Sequence, residues 1–192
     1  MKKLIFASHN SFTYLPVKWY MKPFNFMSRC QSKNIEEQFF KYNVRIFDLR
    51  VRFDKDGMPH VRHGLMDYGV VPDDMLSMLN DAALYYGCNI YVRVILETGK
   101  ADEKQEFLFI TYCAHLQGTY GHLKFTEGRR KFDWRQLFAF RDSTPDMDAD
   151  FASVKGGKLN DLWPRLYSKR HNKKAVEKCD KQYLMLDFVD IR

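Results

Sequence analysis

No stretch of this chain is apolar for long enough to cross a bilayer. The roughly 20 consecutive apolar residues of a membrane helix occur nowhere in its 192 residues. Cysteine is scarce: Cys30, Cys88, Cys113 and Cys179 stand far apart and form no C-x-x-C pair, which argues against a zinc knot. A chain of this length needs no disulfide framework either, so reduced, mostly buried thiols are expected. No internal repeat, low-complexity tract or recognised nucleic-acid motif occurs. Met1-Lys2-Lys3 with Leu4-Ile5-Phe6-Ala7 resembles the start of an N-terminal signal only faintly, and its apolar run falls below the roughly 7 to 15 residues such a signal needs, so none is expected here. As written the chain would stay in the cytoplasm; it would be secreted if an upstream signal had been removed.

Acidic residues are in the minority, 24 against 31 Lys and Arg, for a formal charge of +7. A basic surface suits anionic partners such as phosphates or acidic lipid, without choosing among them. Part of the excess sits in Lys169-Arg170-His171-Asn172-Lys173-Lys174, which reads as a solvated helix end. Hydrophobic residues at 45% and aromatics at 16% indicate one globular domain over residues 1–192.

Candidate strands and helices alternate. Residues 3–7 read as a strand, and 34–42 as a helix with Glu36 and Glu37 in its first turn. A strand follows over 44–52. Asp54 to Gly57 is a turn, and a short strand leads into His63. Pro72 opens a helix that runs to Tyr86 and stops at Gly87. Residues 89–96 form a strand rich in Val, Ile and Tyr, 103–116 a helix, and 122–125 a strand. Residues 141–160 read as a long loop, 161–174 as partly helical, and 182–189 as a last strand. Such alternation predicts an α/β fold with a largely parallel sheet, a compact, distorted (β/α) barrel of the TIM type; an open doubly wound sheet gives similar local patterns.

Polar residues recur at the C-terminal ends of these strands. The first ends in His9-Asn10. The second carries Asp48, Arg50 and Arg52 on one face, opposite Phe47, Leu49 and Val51. The third ends in His63, the fourth in Glu97, and the last holds Asp187 with Asp190 beyond. A lone histidine after a strand is ordinarily a capping or surface residue, and Asp48 with Arg50 could be a plain ion pair. Charges on a buried strand face are harder to dismiss, because desolvation is costly unless they are paired or used. Gathered at one barrel mouth, two histidines, an Asp-x-Arg pair and a carboxylate supply a base, an acid and a cation for an anion.

The ordered set Ser8-His9-Asn10-Ser11-Phe12-Thr13, Asn34-Ile35-Glu36-Glu37-Gln38-Phe39, Val44 to Arg52, Asp56-Gly57 and His63-Gly64-Leu65 resembles the catalytic X region of phosphatidylinositol-specific phospholipase C and its bacterial phosphodiesterase relatives. The resemblance covers residues 4–65, thins at Glu97 and the terminal strand, and does not extend over 100–180. It implies that His9 takes the proton of the inositol 2-hydroxyl and that His63 protonates the leaving oxygen. Asp48-Leu49-Arg50 matches the metal-independent bacterial Asp-x-Arg, with Arg50 facing the phosphate and Asp48 orienting it. Asp187, or Asp190 in reserve, would hold the catalytic histidine, with Asn10, Arg52 and Glu97 in substrate binding. Asn10 and Glu97 instead match the calcium-dependent branch, so Asn10, Asp48 and Glu97 could form a partial Ca2+ site; Arg50 beside it opposes this, and no cofactor is expected.

The expected substrate is a phospholipid or inositol phosphodiester. Phe12, Tyr14, Trp19, Tyr20, Phe24 and Phe26 either pack on the barrel end or form a rim for transient membrane contact, with Lys18 and Lys22 against acidic headgroups. A monomer without nucleic-acid partners is expected. The rival readings are a metal-dependent glycerophosphodiesterase-like or phospholipase D-like enzyme and an inactive lipid- or anion-binding barrel.

Overall fold

The computed structural model of the protein describes residues 4–97, 102–129, 151–154 and 162–192. Strand β1 (Ile5–Ser8) is followed by a 3-10 turn (Trp19–Phe24), α1 (Asn25–Ser28) and α2 (Ile35–Phe40). Then come β2 (Val44–Phe53), β3 (Pro59–His63), β4 (Met66–Asp67), α3 (Asp73–Tyr86), β5 (Ile90–Leu96), α4 (Glu103–Thr119) and β6 (Leu123–Arg129). The last elements are β7 (Phe151–Ser153), α5 (Pro164–Lys178) and β8 (Tyr183–Leu186).

Local chemistry sets most of these boundaries. The Asn34 side chain accepts from Glu37 N at 2.7 Å and caps α2. Asp102 caps α4 in the same way through Gln105 N. In the turn after β2, Asp54 Oδ1 accepts from the backbone N–H of Asp56 and Met58, and Gly57 supplies a φ of +83°. Helix α3 stops at Gly87, which adopts a left-handed φ of +56°. Pro164 does not disturb α5, because it occupies the first turn, where its missing N–H leaves no bond unmade. The loop expected over 141–160 is corrected in part: Phe151–Ser153 is a strand, paired in parallel with β8. Residues 141–150 and 155–160 of that expectation lie outside the described residues.

The parallel strands are ordered β7-β8-β1-β2-β5-β6, and the antiparallel β3 and β4 extend from the far end of β2. Spatial order therefore follows chain order, and the late strand β8 returns to pair with the first. The fold is mixed α/β with an open sheet: β6 and β7 are not paired with each other among the described residues. Closure into the expected barrel is thus not seen there.

The two faces of the sheet differ. Phe47, Leu49 and Val51 of β2, Val92 and Val94 of β5 and Leu184 and Leu186 of β8 pack with residues of α2, α3 and α4, and with Ala175 and Val176 of α5. Burial of a leucine or phenylalanine side chain here contributes about 1.5–3 kcal/mol. A bulge in β1 between Phe6 and Ala7 then aligns Ala7, Ile46 and Met185 on the opposite face, where they cluster with Tyr91 and Tyr183 and, among the described residues, with no helix. Side chains alternate along strands, so the next residues on this second face are His9, Asp48, Arg93 and Asp187. Among the described residues, α2 to α5 all pack on the first face, unlike the helices of a doubly wound sheet.

Gly87→Ala would place a Cβ that touches nothing within 4 Å, so its cost is that of the left-handed backbone alone. We expect a loss of about 1–2 kcal/mol in the urea-unfolding free energy.

Candidate active site

His9 follows β1 directly and Asp187 follows β8, its hydrogen-bonded neighbour. Their side chains meet: His9 Nδ1 lies 2.7 Å from Asp187 Oδ1. A carboxylate only accepts, so Nδ1 carries the proton and the lone pair is on Nε2. His63 ends β3, and its Nδ1 donates to the Ser28 carbonyl at 2.7 Å, which leaves its lone pair on Nε2 as well. The two Nε2 atoms lie close together. Asn10 Nδ2 stands 3.2 Å from each of them, so they are no farther apart than twice that distance.

Arg50 binds this group together. Nη2 lies 3.0 Å from His9 Nε2 and 3.2 Å from Asp48 Oδ2, and Nη1 lies 3.3 Å from Glu97 Oε2. Glu97 Oε1 in turn accepts from Gly64 N at 2.9 Å, which ties the residue after His63 to the guanidinium. Asp48 is 1% exposed, and its Oδ2 also accepts from Asn10 N. Burial opposes its ionisation, but Arg50, Arg93 and His9 outweigh that and hold its pKa below the ordinary carboxylate value. Burial likewise disfavours charge on Arg50, yet Asp48 and Glu97 raise its pKa. For His63 burial is the largest influence, Arg50 adds to it, and the pKa falls to about 4.

The sequence-predicted residues mostly converge. Asp187 is the acid at His9; Asp190 accepts from Ser32 Oγ at 2.7 Å instead. Arg52 departs from expectation. It shares the face of Asp48 and Arg50, but β2 runs past the mouth there, so Arg52 is exposed opposite His60 and does not join the cluster. The aromatic run divides: Phe12 is 1% exposed and belongs to the core, Tyr14 is half-buried, and Trp19, Tyr20, Phe24 and Phe26 are exposed.

Several residues escaped the sequence reading. Gln31, fully buried, donates to the carbonyls of His9 and Leu186, both at 3.0 Å, and accepts from Val189 N. It clamps the ends of β1 and β8 and so sets the His9–Asp187 pair. Asn172 lies in the basic run read as solvated; Lys169, Arg170, Lys173 and Lys174 are exposed as expected, but Asn172 is buried and donates to the Asp187 carbonyl at 2.7 Å. Cys30 is buried beside Asn10, whose Nδ2 reaches its sulfur at 3.4 Å. Burial and then Asp187 push its thiol well above its ordinary pKa. Arg93, 3% exposed, pairs in register with Asp48 on the adjacent strand. An arginine in the middle of Ile90-Tyr91-Val92-Arg93-Val94-Ile95-Leu96 was a signal of the same kind as Asp48.

The arrangement can move protons at two neighbouring imidazole nitrogens and hold an anion against a guanidinium. No protein-family model matches the chain, and no curated protein does. Solved structures do match. Two variants of phosphatidylinositol-specific phospholipase C from Staphylococcus aureus each align with a TM-score of 0.64, at 14% and 15% identity, over 97% of this chain and 86% and 85% of theirs. A third, carrying pentafluoro-phenylalanine, aligns at 0.62 with 13% identity over 98% of this chain and 87% of its own. The chain therefore shares the fold of that enzyme.

In the native state His63 stays neutral down to about pH 4, whereas the unfolded chain protonates it near 6.5. The unfolded state binds more protons in that window, so stability present above pH 6.5 is lost as pH falls toward 4, by roughly 3 kcal/mol. NMR titration of the His63 ring should show a midpoint near 4, moving upward in Arg50→Gln.

Proposed function

We propose that this chain is a phosphodiesterase of the phosphatidylinositol-specific phospholipase C type, which cleaves a phospholipid or inositol phosphodiester. The observation that carries the reading is the pair of Nε2 atoms, each 3.2 Å from Asn10 Nδ2, with both Nδ1–H groups engaged elsewhere and Arg50 beside His9. His9 Nε2 takes the proton of a hydroxyl adjacent to the phosphate. That oxygen bonds to phosphorus as the bond to the leaving alkoxide breaks, and His63 Nε2–H protonates the leaving oxygen. The product is a cyclic phosphodiester, and a water attacking with the two roles reversed would open it. Arg50 offsets the charge on the non-bridging oxygens. Asp187 holds the His9 ring and steadies it once protonated.

His63 must carry a proton to act as the acid, and burial with Arg50 works against this in the free protein. The phosphodiester anion itself reverses the balance, because it sets a negative charge between Arg50 and His63. The reading needs no metal. A Ca2+ held by Asn10, Asp48 and Glu97 would have to displace a guanidinium that already bonds both carboxylates, and this supports arginine in the place of calcium. It also weighs against the metal-dependent rival.

The finer fold assignment belongs to the same proposal. Strand order, and the packing of the described helices on one face, support a distorted TIM-type barrel. Transient contact with a lipid surface is supported by Trp19, 79% exposed, with Tyr20, Phe24 and Phe26 around it. Helix α1 packs on α5, which adds exposed Leu166, with exposed Trp163 just before it.

Phosphorus NMR with phosphatidylinositol vesicles, with and without EDTA, tests the proposal; a cyclic phosphodiester signal that persists in EDTA is expected. Rates should fall at least about 100-fold in His9→Ala and in His63→Ala, and Arg50→Lys should be similarly impaired because an ammonium cannot reproduce the planar fork. Full activity in either histidine variant would overturn the mechanism. Inositol phosphate binding without turnover, unchanged by His9→Ala, would establish a binding module instead.

A further inference from the structure

Cys30 has no part in the mechanism above, yet it stands against the residues that do. One ligand atom each from His9, Cys30 and Asp187 lie within 4.8 Å of one another. They come from three separate segments: the end of β1, the connection between α1 and α2, and the end of β8. Backbone bonds lock these segments together. Phe188 N donates to the Cys30 carbonyl at 2.6 Å, and the neighbouring Gln31 side chain bonds the carbonyls of His9 and Leu186. The three donors are thus held before any ion arrives.

We propose that His9, Cys30 and Asp187 form a binding site for a thiophilic divalent cation, Zn2+ above all, and that occupancy shuts the active site. An imidazole nitrogen, a thiolate and a carboxylate are the donor set of zinc, and tetrahedral zinc places its donors about 3.3–3.8 Å apart. Small side-chain movements therefore close the trio on an ion, with water in the fourth position. Calcium and magnesium take oxygen ligands and are refused by the sulfur. Binding releases the Cys30 thiol proton to solvent. It also removes the lone pair that His9 needs. An ion on Nδ1 forces the ring proton onto Nε2, and an ion on Nε2 occupies that nitrogen directly. The binding stands apart from the phosphodiesterase reading; the inhibition rests on it.

Cd2+ titration of the whole protein, followed by the ultraviolet thiolate-to-metal charge-transfer band, measures the site without reference to activity. One equivalent should produce the band. Cys30→Ser should abolish it, and Cys88→Ser and Cys179→Ser should retain it. Zn2+ affinity, read by competition with a chromophoric chelator, should fall at least about 100-fold in Cys30→Ser, beyond the usual cost of losing an outer-shell partner. Should Cys30→Ser not fold, His9→Ala must show a comparable loss. No band in the wild type, a band that survives Cys30→Ser, or one lost in Cys88→Ser or Cys179→Ser overturns the proposal. Turnover unaffected by one bound Zn2+ overturns its inhibitory half. Absence of any turnover beside an intact band would refute the phosphodiesterase reading and leave the metal site standing.

Discussion

A guanidinium nearly withdrawn from water is the constraint around which the rest is arranged. The Arg50 side chain is 12% exposed and touches the side chains of Asp48, Glu97 and His9. A charge in that position is tolerable only with partners, and each partner is equally dependent on it. Arg50 thereby couples three neighbouring strands, β1, β2 and β5, at the end where their side chains turn polar. The same positive charge keeps Asp48 ionised in spite of burial and helps to keep His63 neutral.

Alternation along parallel strands explains how such a group can sit inside a small protein. On the face where no described helix packs, β1, β2, β5 and β8 each lead from an apolar or aromatic residue to a polar one. Ala7 leads to His9, Ile46 to Asp48 and Arg50, Tyr91 to Arg93, and Met185 to Asp187. The apolar level forms a floor of Ala7, Ile46, Met185, Tyr91 and Tyr183. Above it the charges lie side by side and neutralise one another, and Gln31 and Asn172 supply the hydrogen bonds that position the backbone below Asp187.

Elements governed by neighbours in sequence were legible. The helix that starts at Asn34, the Asp54–Gly57 turn, the Gly87 stop and the apolar runs of β2 and β5 follow from local chemistry, and the structure places them where the pattern did. Placement of His9, Asp48, Arg50 and Glu97 together also followed, because parallel strands bring their C-terminal halves to one side; His63 joins them because antiparallel β3 runs back along β2. What failed depended on tertiary context. Arg52 lies on the expected face, but only the length of β2 shows that it rises beyond the mouth. Asn172 sits among lysines and gives no sign of burial until α5 docks on β8. Cys30 fits no metal spacing, because its partners come from remote segments rather than from a neighbouring cysteine. Open pairing at β6 and β7 was equally invisible, since alternation describes successive elements and not how a sheet ends.

His9 and Asp187 are 178 positions apart and yet share one short hydrogen bond. During synthesis the histidine emerges early and its carboxylate very late, and loop closure over that span follows the more local pairings of β2, β3 and β5. The nascent chain can gather Arg50, Asp48 and Glu97 while His9 still lacks the acceptor for its Nδ1–H. A product released before residue 187 would lack the carboxylate that His9 Nδ1–H meets. The pairing of a first strand with a late one thus acts as a completeness check: the His9–Asp187 hydrogen bond exists only in a chain translated through Asp187.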